Sequence, residues 1–445
     1  MKALTRFVCY LVLVAMVLTA CAPAATAVAE PTKAPIQEVT LVVWDVLASP
    51  GETAIIEKLQ TDFLAAHPGV KIDRNAKSFD DMKATAKLGL SSPDGPDVAQ
   101  INQGLSDMGA LVKAGLLENL TPYAQKYGWD KKISGGLIAR NSFSTDGKMF
   151  GQGNLYGVSP TSELVGVFYR KDKFEEYGLN IPKTFAEFED ILKTLKEKGE
   201  TPIVAGGLGG LAATHFYAEI LNVYLSDRAY LDDLIFARND QSWDTEVQQK
   251  AAEKLQEWTE NGYFTKGFEG TSYDDQGSLL ENGDAVMMLA GSWWSSTLAA
   301  SPISEKFGFF MLPPENEGAY KMTVGGTSPA YAIRANSTKK TLAAEYINWM
   351  ISESSAKVWA NNGTIPLTYV DPSTMPAGSL IADLLTAWNT INQKDEVGHY
   401  LDWATPTFWD TLTASLEELM AFKITPEEFT MKLETDYSAY LTSLK

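Results

Sequence analysis

Cysteine is nearly absent: the chain has 2, Cys9 and Cys21, both close to its start. Whatever folds beyond them has no disulfide framework, no C-x-x-C redox pair and no thiol nucleophile. Histidine is almost as scarce, and His67, His215 and His399 do not stand at the spacing of a metal-binding H-E-x-x-H helix. No G-x-S-x-G elbow and no Walker A loop occurs, so no catalytic residue, metal or cofactor is assigned. Basic charge is in deficit, since 37 Lys and Arg face 56 Asp and Glu and leave a formal net charge of −19. A basic patch for nucleic acid or an anionic lipid surface is thereby excluded. Long apolar runs are missing too, apart from one near the start.

That run, residues 7–20, follows Lys2 and Arg6. It is shorter than the ~20 apolar residues a membrane span takes, and it reads as the h-region of a signal peptide. It ends in Leu18-Thr19-Ala20-Cys21, which resembles the lipobox of bacterial lipoproteins, small residues before a cysteine that becomes acylated. Residues 1–21 are therefore expected to be a lipoprotein signal peptide with Cys21 as the lipidation point. Residues 22–38, rich in Ala, Pro and Thr, are expected to form a flexible tether. An uncleaved anchor running on to Ala29 would be interrupted by Pro23. Both readings hold the protein at the membrane outside the cytoplasm.

The remaining ~400 residues exceed the usual size of one domain, so two lobes are expected. The alternation over 39–44 predicts a strand, and Ile55, Leu59 and Phe63 then fall on one face of a helix. Ser49 as N-cap, Pro50 at the first helical position and Glu52 three residues after the cap mark where that helix starts. A strand at 70–72, a helix over 80–90, a strand at 98–101 and a helix ending at Gly115 follow. The same alternation recurs at 164–169 (strand), 185–198 (helix), 202–205 (strand) and 247–261 (helix). Such an order implies α/β lobes built on helix-covered sheets.

Gly207-Leu208-Gly209-Gly210-Leu211-Ala212 formally fits a dinucleotide loop. It lies deep in the chain with no acidic residue at the right distance downstream, and reads better as a glycine-rich turn. Aromatic residues placed at loop edges are more informative: Trp44, Phe216, Trp293, Trp294 and Trp403. A sugar has apolar C–H faces ringed by hydroxyls, so flat aromatic faces together with carboxylates and amides are what would hold one.

Over nearly its whole mature length the chain resembles the extracellular sugar-binding proteins of the maltose-binding-protein type that serve ATP-binding-cassette importers. The segments that carry the resemblance are Gly95-Pro96-Asp97-Val98, Asn119-Leu120-Thr121-Pro122-Tyr123, Leu155-Tyr156-Gly157-Val158-Ser159 with Glu163 and Phe168-Tyr169-Arg170-Lys171-Asp172, Pro182-Lys183-Thr184-Phe185, Gly283-Asp284-Ala285-Val286-Met287-Met288 with Gly291-Ser292-Trp293, and Gly325-Gly326-Thr327. The resemblance implies a two-lobed periplasmic-binding-protein-like fold whose lobes are joined by crossing segments and close on a ligand. It places the crossings near 160–163, 321–325 and 368–372. It implies that Glu163 accepts hydrogen bonds from sugar hydroxyls, that Trp293 stacks on a pyranose face and that Gly325 and Gly326 offer backbone amides. By position it adds Ser49, Glu52, Gln103, His215, Phe216, Asp402 and Trp403. The chain departs from the best-known member after Gly95-Pro96-Asp97. An aromatic, an Asp and an Arg stand there in that protein, against Ile101-Asn102-Gln103-Gly104 here, which argues against maltodextrin as the ligand.

The expected lobes are 39–160 with 325–370, and 161–324 with 371–445. The expected function is capture of a sugar or oligosaccharide by lobe closure and its delivery to a membrane permease, by a monomer without enzymatic activity. A surface-anchored glycoside hydrolase and a sugar receptor unconnected with transport are the alternatives.

Overall fold

The computed structural model describes residues 38–394 and 396–445. The expected signal peptide, Cys21 and the expected tether up to residue 37 lie outside the described residues. Among the described residues no helix is long and apolar enough to cross a membrane.

Two sheets organise the chain. In the first, β1 (Val39–Asp45) lies between β2 (Val70–Ala76) and β3 (Val98–Ile101), parallel to both. Helix α1 (Pro50–Ala66) connects β1 to β2, and α2 (Phe79–Ser91) connects β2 to β3. The expected cap of α1 is present: the Ser49 hydroxyl accepts from the Glu52 N–H, while the Glu52 carboxylate accepts from the Ser49 N–H at 3.1 Å. Leu41 and Val43 point into a core with Ile56, Phe63, Tyr331 and Tyr346, as the period of two along β1 requires.

The second sheet is built around β4 (Ser162–Arg170), a nine-residue strand in which every residue but Tyr169 is buried. Helix α3 (Phe185–Glu197) leads to β5 (Ile203–Val204), α4 (Leu211–Tyr224) covers the sheet, and α5 (Glu246–Glu260) packs on α4. Strand β6 (Met287–Gly291) runs antiparallel to β4 on one side and parallel to β5. On its other side β4 pairs first with β8 (Thr323–Thr327) and further on with β7 (Phe307–Phe310). The chain then enters the first sheet as β9 (Ala330–Ile333), antiparallel to β3. The middle crossing thus falls between Thr327 and Ala330, later than the expected 321–325. Gly325 and Gly326 look like a break in a pattern, yet they lie inside the β8 ladder, opposite Leu164 and Glu163.

Next to β8 lies β10 (Val397–Gly398), and α6 (Phe408–Met420) and α7 (Pro426–Leu444) end the fold. The glycine-rich turn leads into α4, with Gly209 and Gly210 at positive φ and Gly210 seated against Thr413.

Candidate functional site

Where parallel strands end, the following loops are free to build a site. The loop after β1 is held by Asp45, which is fully buried and takes two hydrogen bonds from Arg74, at 2.6 and 2.7 Å. Arg74 also donates to the Leu47 carbonyl. Gln100, in β3, ties this loop to the crossing: its side chain accepts from the Val46 N–H at 2.9 Å and donates to the Pro329 carbonyl at 3.1 Å.

Beyond β3 the polar residues divide. Gln103 is buried and turns toward the crossing, where its amide donates to the carbonyls of Thr327 (3.1 Å) and Ser328 (2.9 Å). Asn102 turns the other way and donates to Asp107 at 2.8 Å; Lys83 of α2 reaches the same carboxylate at 3.2 Å. Asn102, Lys83 and Asp107 line a cavity of about 150 Å³ together with Val46, Phe79 and Ser106.

Residues from late in the chain approach Lys83 and Asp107. The Lys83 ammonium lies 4.1 Å from the ring centre of Trp409, on α6. Asp402 is buried near Lys83 and Asp107. Burial pushes its carboxyl up to about 6, with Lys83 drawing it down and Asp107 raising it. Gly104, at φ +82, lies against Trp403, and a Cβ there would stand 2.7 Å from the indole Cδ1. Only glycine fits both the backbone and the contact.

Glu163 lies at the start of β4 and is 9% exposed. Its carboxylate accepts from the Tyr400 hydroxyl at 2.9 Å. Burial pushes the carboxyl up to about 7, against the pull of that hydrogen bond and of the Arg140 charge. Around it stands a group of rings. His215, on α4, lies 5.4 Å from Trp293, 6.2 Å from Tyr273 and 6.3 Å from Tyr400 between ring centres. Burial lowers the His215 pKa to about 4, so the ring is neutral at pH 7, and its Nδ1 has no hydrogen-bond partner among the described residues. The indole N–H groups of Trp293 and Trp294 both point at the Tyr273 hydroxyl, at 3.1 and 3.4 Å. Trp293 is half-buried, with its ring lying against Gly291. Trp403 closes the group at 5.1 Å from Tyr400.

Of the residues singled out in the sequence, Glu163, His215, Trp293 and Trp403 come together here. Asp402 stands beside the cavity, and Gly326 is in register with Glu163. The others are engaged elsewhere. Phe216 is not at a loop edge: it is inside α4, fully buried and stacked on Phe264 at 4.9 Å. A one-residue step along a helix turns a side chain by about 100°, which separates it from His215. Trp44 lies on Gly89 of α2 beneath the Lys77 ammonium, 4.3 Å from its ring centre. Ser49 and Glu52 are occupied as a helix cap and Gln103 by the crossing. The sequence did not single out Tyr273, Tyr400, Lys83 or Asp107, none of which belongs to a motif, and Asn102 was noted only within the segment 101–104 that departs from the family's pattern. The one available signal was that Tyr400 sits two residues before Asp402.

Comparison with known proteins bears on this arrangement. Residues 48–357 match the family model described as bacterial extracellular solute-binding protein. The multiple sugar-binding protein of Streptococcus mutans is 26% identical over 299 residues, 67% of this chain and 68% of that protein. The melibiose/raffinose/stachyose-binding protein MelE of Bacillus subtilis is 21% identical over 442 residues, 97% of this chain and 95% of that one. Among solved structures, one from a study of xylan utilization by Caldanaerobius polysaccharolyticus superposes with a TM-score of 0.77 at 21% identity, covering 89% of this chain and 99% of that one.

Proposed function

Since the chain belongs to the bacterial extracellular solute-binding proteins, we propose that it captures a neutral oligosaccharide outside the cytoplasm and delivers it to an ATP-binding-cassette permease. The observation that carries the choice of ligand is the grouping of Glu163, Tyr400, His215, Tyr273 and Trp293. A carboxylate, a neutral imidazole and phenol hydroxyls stand among flat rings. A sugar hydroxyl both donates and accepts, so it satisfies a carboxylate and an imidazole nitrogen alike, while the C–H face packs on an indole. The names of the relatives agree with this class, and melibiose, raffinose and stachyose are the first candidates.

In this reading Glu163 and His215 bind hydroxyls and Trp293 is the stacking platform, with Asn102, Lys83, Asp107 and Asp402 completing the far side. The two lobes would be 39–160 with 328–370, and 161–327 with 371–445, hinged at the crossings. Lipidation of Cys21 would anchor a monomer to the membrane through the tether. The role is capture, without chemistry on the sugar.

A thermal-shift screen with melibiose, raffinose, stachyose, xylo-oligosaccharides and chitin oligosaccharides tests the reading. A ligand at 100 times its Kd stabilises the fold by about 2.7 kcal/mol. No shift with any neutral sugar at millimolar concentration would refute it.

A further inference from the structure

Arg140 follows the short helix Gly135–Ala139 and is 2% exposed. Its guanidinium donates to three carbonyls on two strands: Nη1 to Gly325 of β8, and Nη2 to Val397 (3.0 Å) and Gly398 (2.9 Å) of β10. These strands pair at only two positions, Thr323 with Val397 and Val324 with Gly398, so the guanidinium extends a ladder that is barely formed. Gly326, at φ +147, makes room for it, since a Cβ at that position would stand 2.1 Å from Nη1. The other side of β8 is gripped by Glu219, which accepts from the Thr323 hydroxyl at 2.8 Å and the Val324 N–H at 2.7 Å.

Two further contacts connect this clamp to the site. The guanidinium carbon lies 5.9 Å from the Trp403 ring centre, and β10 runs directly into the segment that carries Tyr400, Asp402 and Trp403. Gly326 is the register partner of Glu163. We infer that Arg140 is a positioning residue for the site, tying the Tyr400–Trp403 segment to the crossing strand and placing its positive charge at Gly326, the strand position opposite Glu163.

The polar groups facing Glu163 are the Tyr400 hydroxyl, the Tyr273 hydroxyl and Arg140, with the neutral His215 behind the two phenols. The cation in this set is Arg140. The same charge acts on His399, the residue before Tyr400. There it adds to burial in lowering the imidazole to about 4, even though Nε2 lies 2.5 Å from an Asp232 carboxylate oxygen. Arginine suits the post because a planar fork that stays charged when buried can bridge several carbonyls, which an ammonium cannot do in the same geometry.

The inference deepens the proposed function by naming what sets its central carboxylate, and its test uses the ligand-free protein so that the two can fail separately. The Glu163 side-chain carboxyl is followed by carbon-13 NMR against pH, with Glu163→Gln identifying the signal. The wild-type midpoint is expected at about 7, and Arg140→Met should move it up by about one unit or more. Arg140→Lys should hold it near the wild-type value while amide exchange at residues 397–400 accelerates. If the methionine variant does not fold, Gly326→Ala takes its place, because the added methyl displaces the guanidinium, and the same upward shift is expected. An unmoved midpoint in the folded Met or Ala variant would overturn the inference, as would a Lys variant that shifts as far as Met. If no sugar in the panel binds the wild type, the ligand assignment fails and this titration still decides the role of Arg140.

Discussion

Glu163→Gln should make the ligand-free protein more stable at alkaline pH while it weakens sugar binding. The folded carboxyl sits at about 7 against an ordinary 4.5, so between these values the folded chain holds a proton that the unfolded chain has released. Stability rises with pH only where the unfolded state binds more protons, and here it binds fewer. The group therefore lowers stability progressively from pH 4.5 to pH 7 and by a constant amount above. A shift of 2.5 units at 1.36 kcal/mol each gives about 3 kcal/mol. Glutamine has no proton to lose, and its Oε1 still accepts from Tyr400. The stability difference, mutant minus wild type, should thus grow by about 3 kcal/mol between pH 4.5 and pH 8. Asp402 and Glu219, pushed up to about 6 and about 8, titrate in or near the same range. Both are present in both proteins and cancel in the difference. Urea denaturation of the pair at four pH values reads the quantity directly, and calorimetry with the sugar from the screen should show at least a tenfold loss of affinity, the size of one hydrogen bond to a charged group. A difference constant across the range would refute the reasoning, because Glu163 would then titrate as an ordinary carboxylate.

Trp293→Ala should weaken sugar binding by ~2 kcal/mol, about thirtyfold in Kd, with a smaller loss of ligand-free stability. Calorimetry and denaturant unfolding separate the two, and a large stability loss with unchanged affinity would return this half-buried ring to the core. Phe216→Ala should do the reverse, lowering stability by ~3–5 kcal/mol without changing the affinity of the folded fraction. Asp45→Asn leaves Arg74 without its carboxylate and should cost about 3 kcal/mol in urea denaturation. Cys21→Ala should abolish incorporation of labelled palmitate; a mutant that still labels would refute lipidation at that thiol.

The parts of the fold that were legible in the sequence are those written in local chemistry. The start of α1 was readable because Ser49, Pro50 and Glu52 satisfy orphan backbone donors within four residues of one another. Strand β1 was readable because Leu41 and Val43 are buried on one face while Val42 and Trp44 on the other are only half-buried. Phe216 was misplaced because α4 is buried nearly all round, so its apolar residues show no polar side from which to orient it. The glycine pair was noticed for the backbone amides it would offer a ligand. What requires Gly326 is a guanidinium from a residue 186 positions earlier, and no window along the sequence contains both. Tyr400 and Lys83 were missed on similar grounds, since their partners Glu163 and Trp409 are brought to them by the sheet connections alone.

The same long-range placement explains why the site tolerates groups that lower the stability of the chain. Glu163, Asp402 and His215 are each held away from their ordinary ionisation by burial, and the Nδ1 of His215 has no partner among the described residues. A core under selection for stability alone would replace them with apolar residues of the same volume, which is often neutral or stabilising. The groups around them come from both halves of the fold, with Lys83 and Asp107 on one side and Asp402 and Tyr400 on the other. A ligand that offers hydroxyls to all of them regains part of that cost only when both sheets reach it at once. Binding energy is then tied to bringing the two halves together, which is what a receptor that signals occupancy by its shape requires.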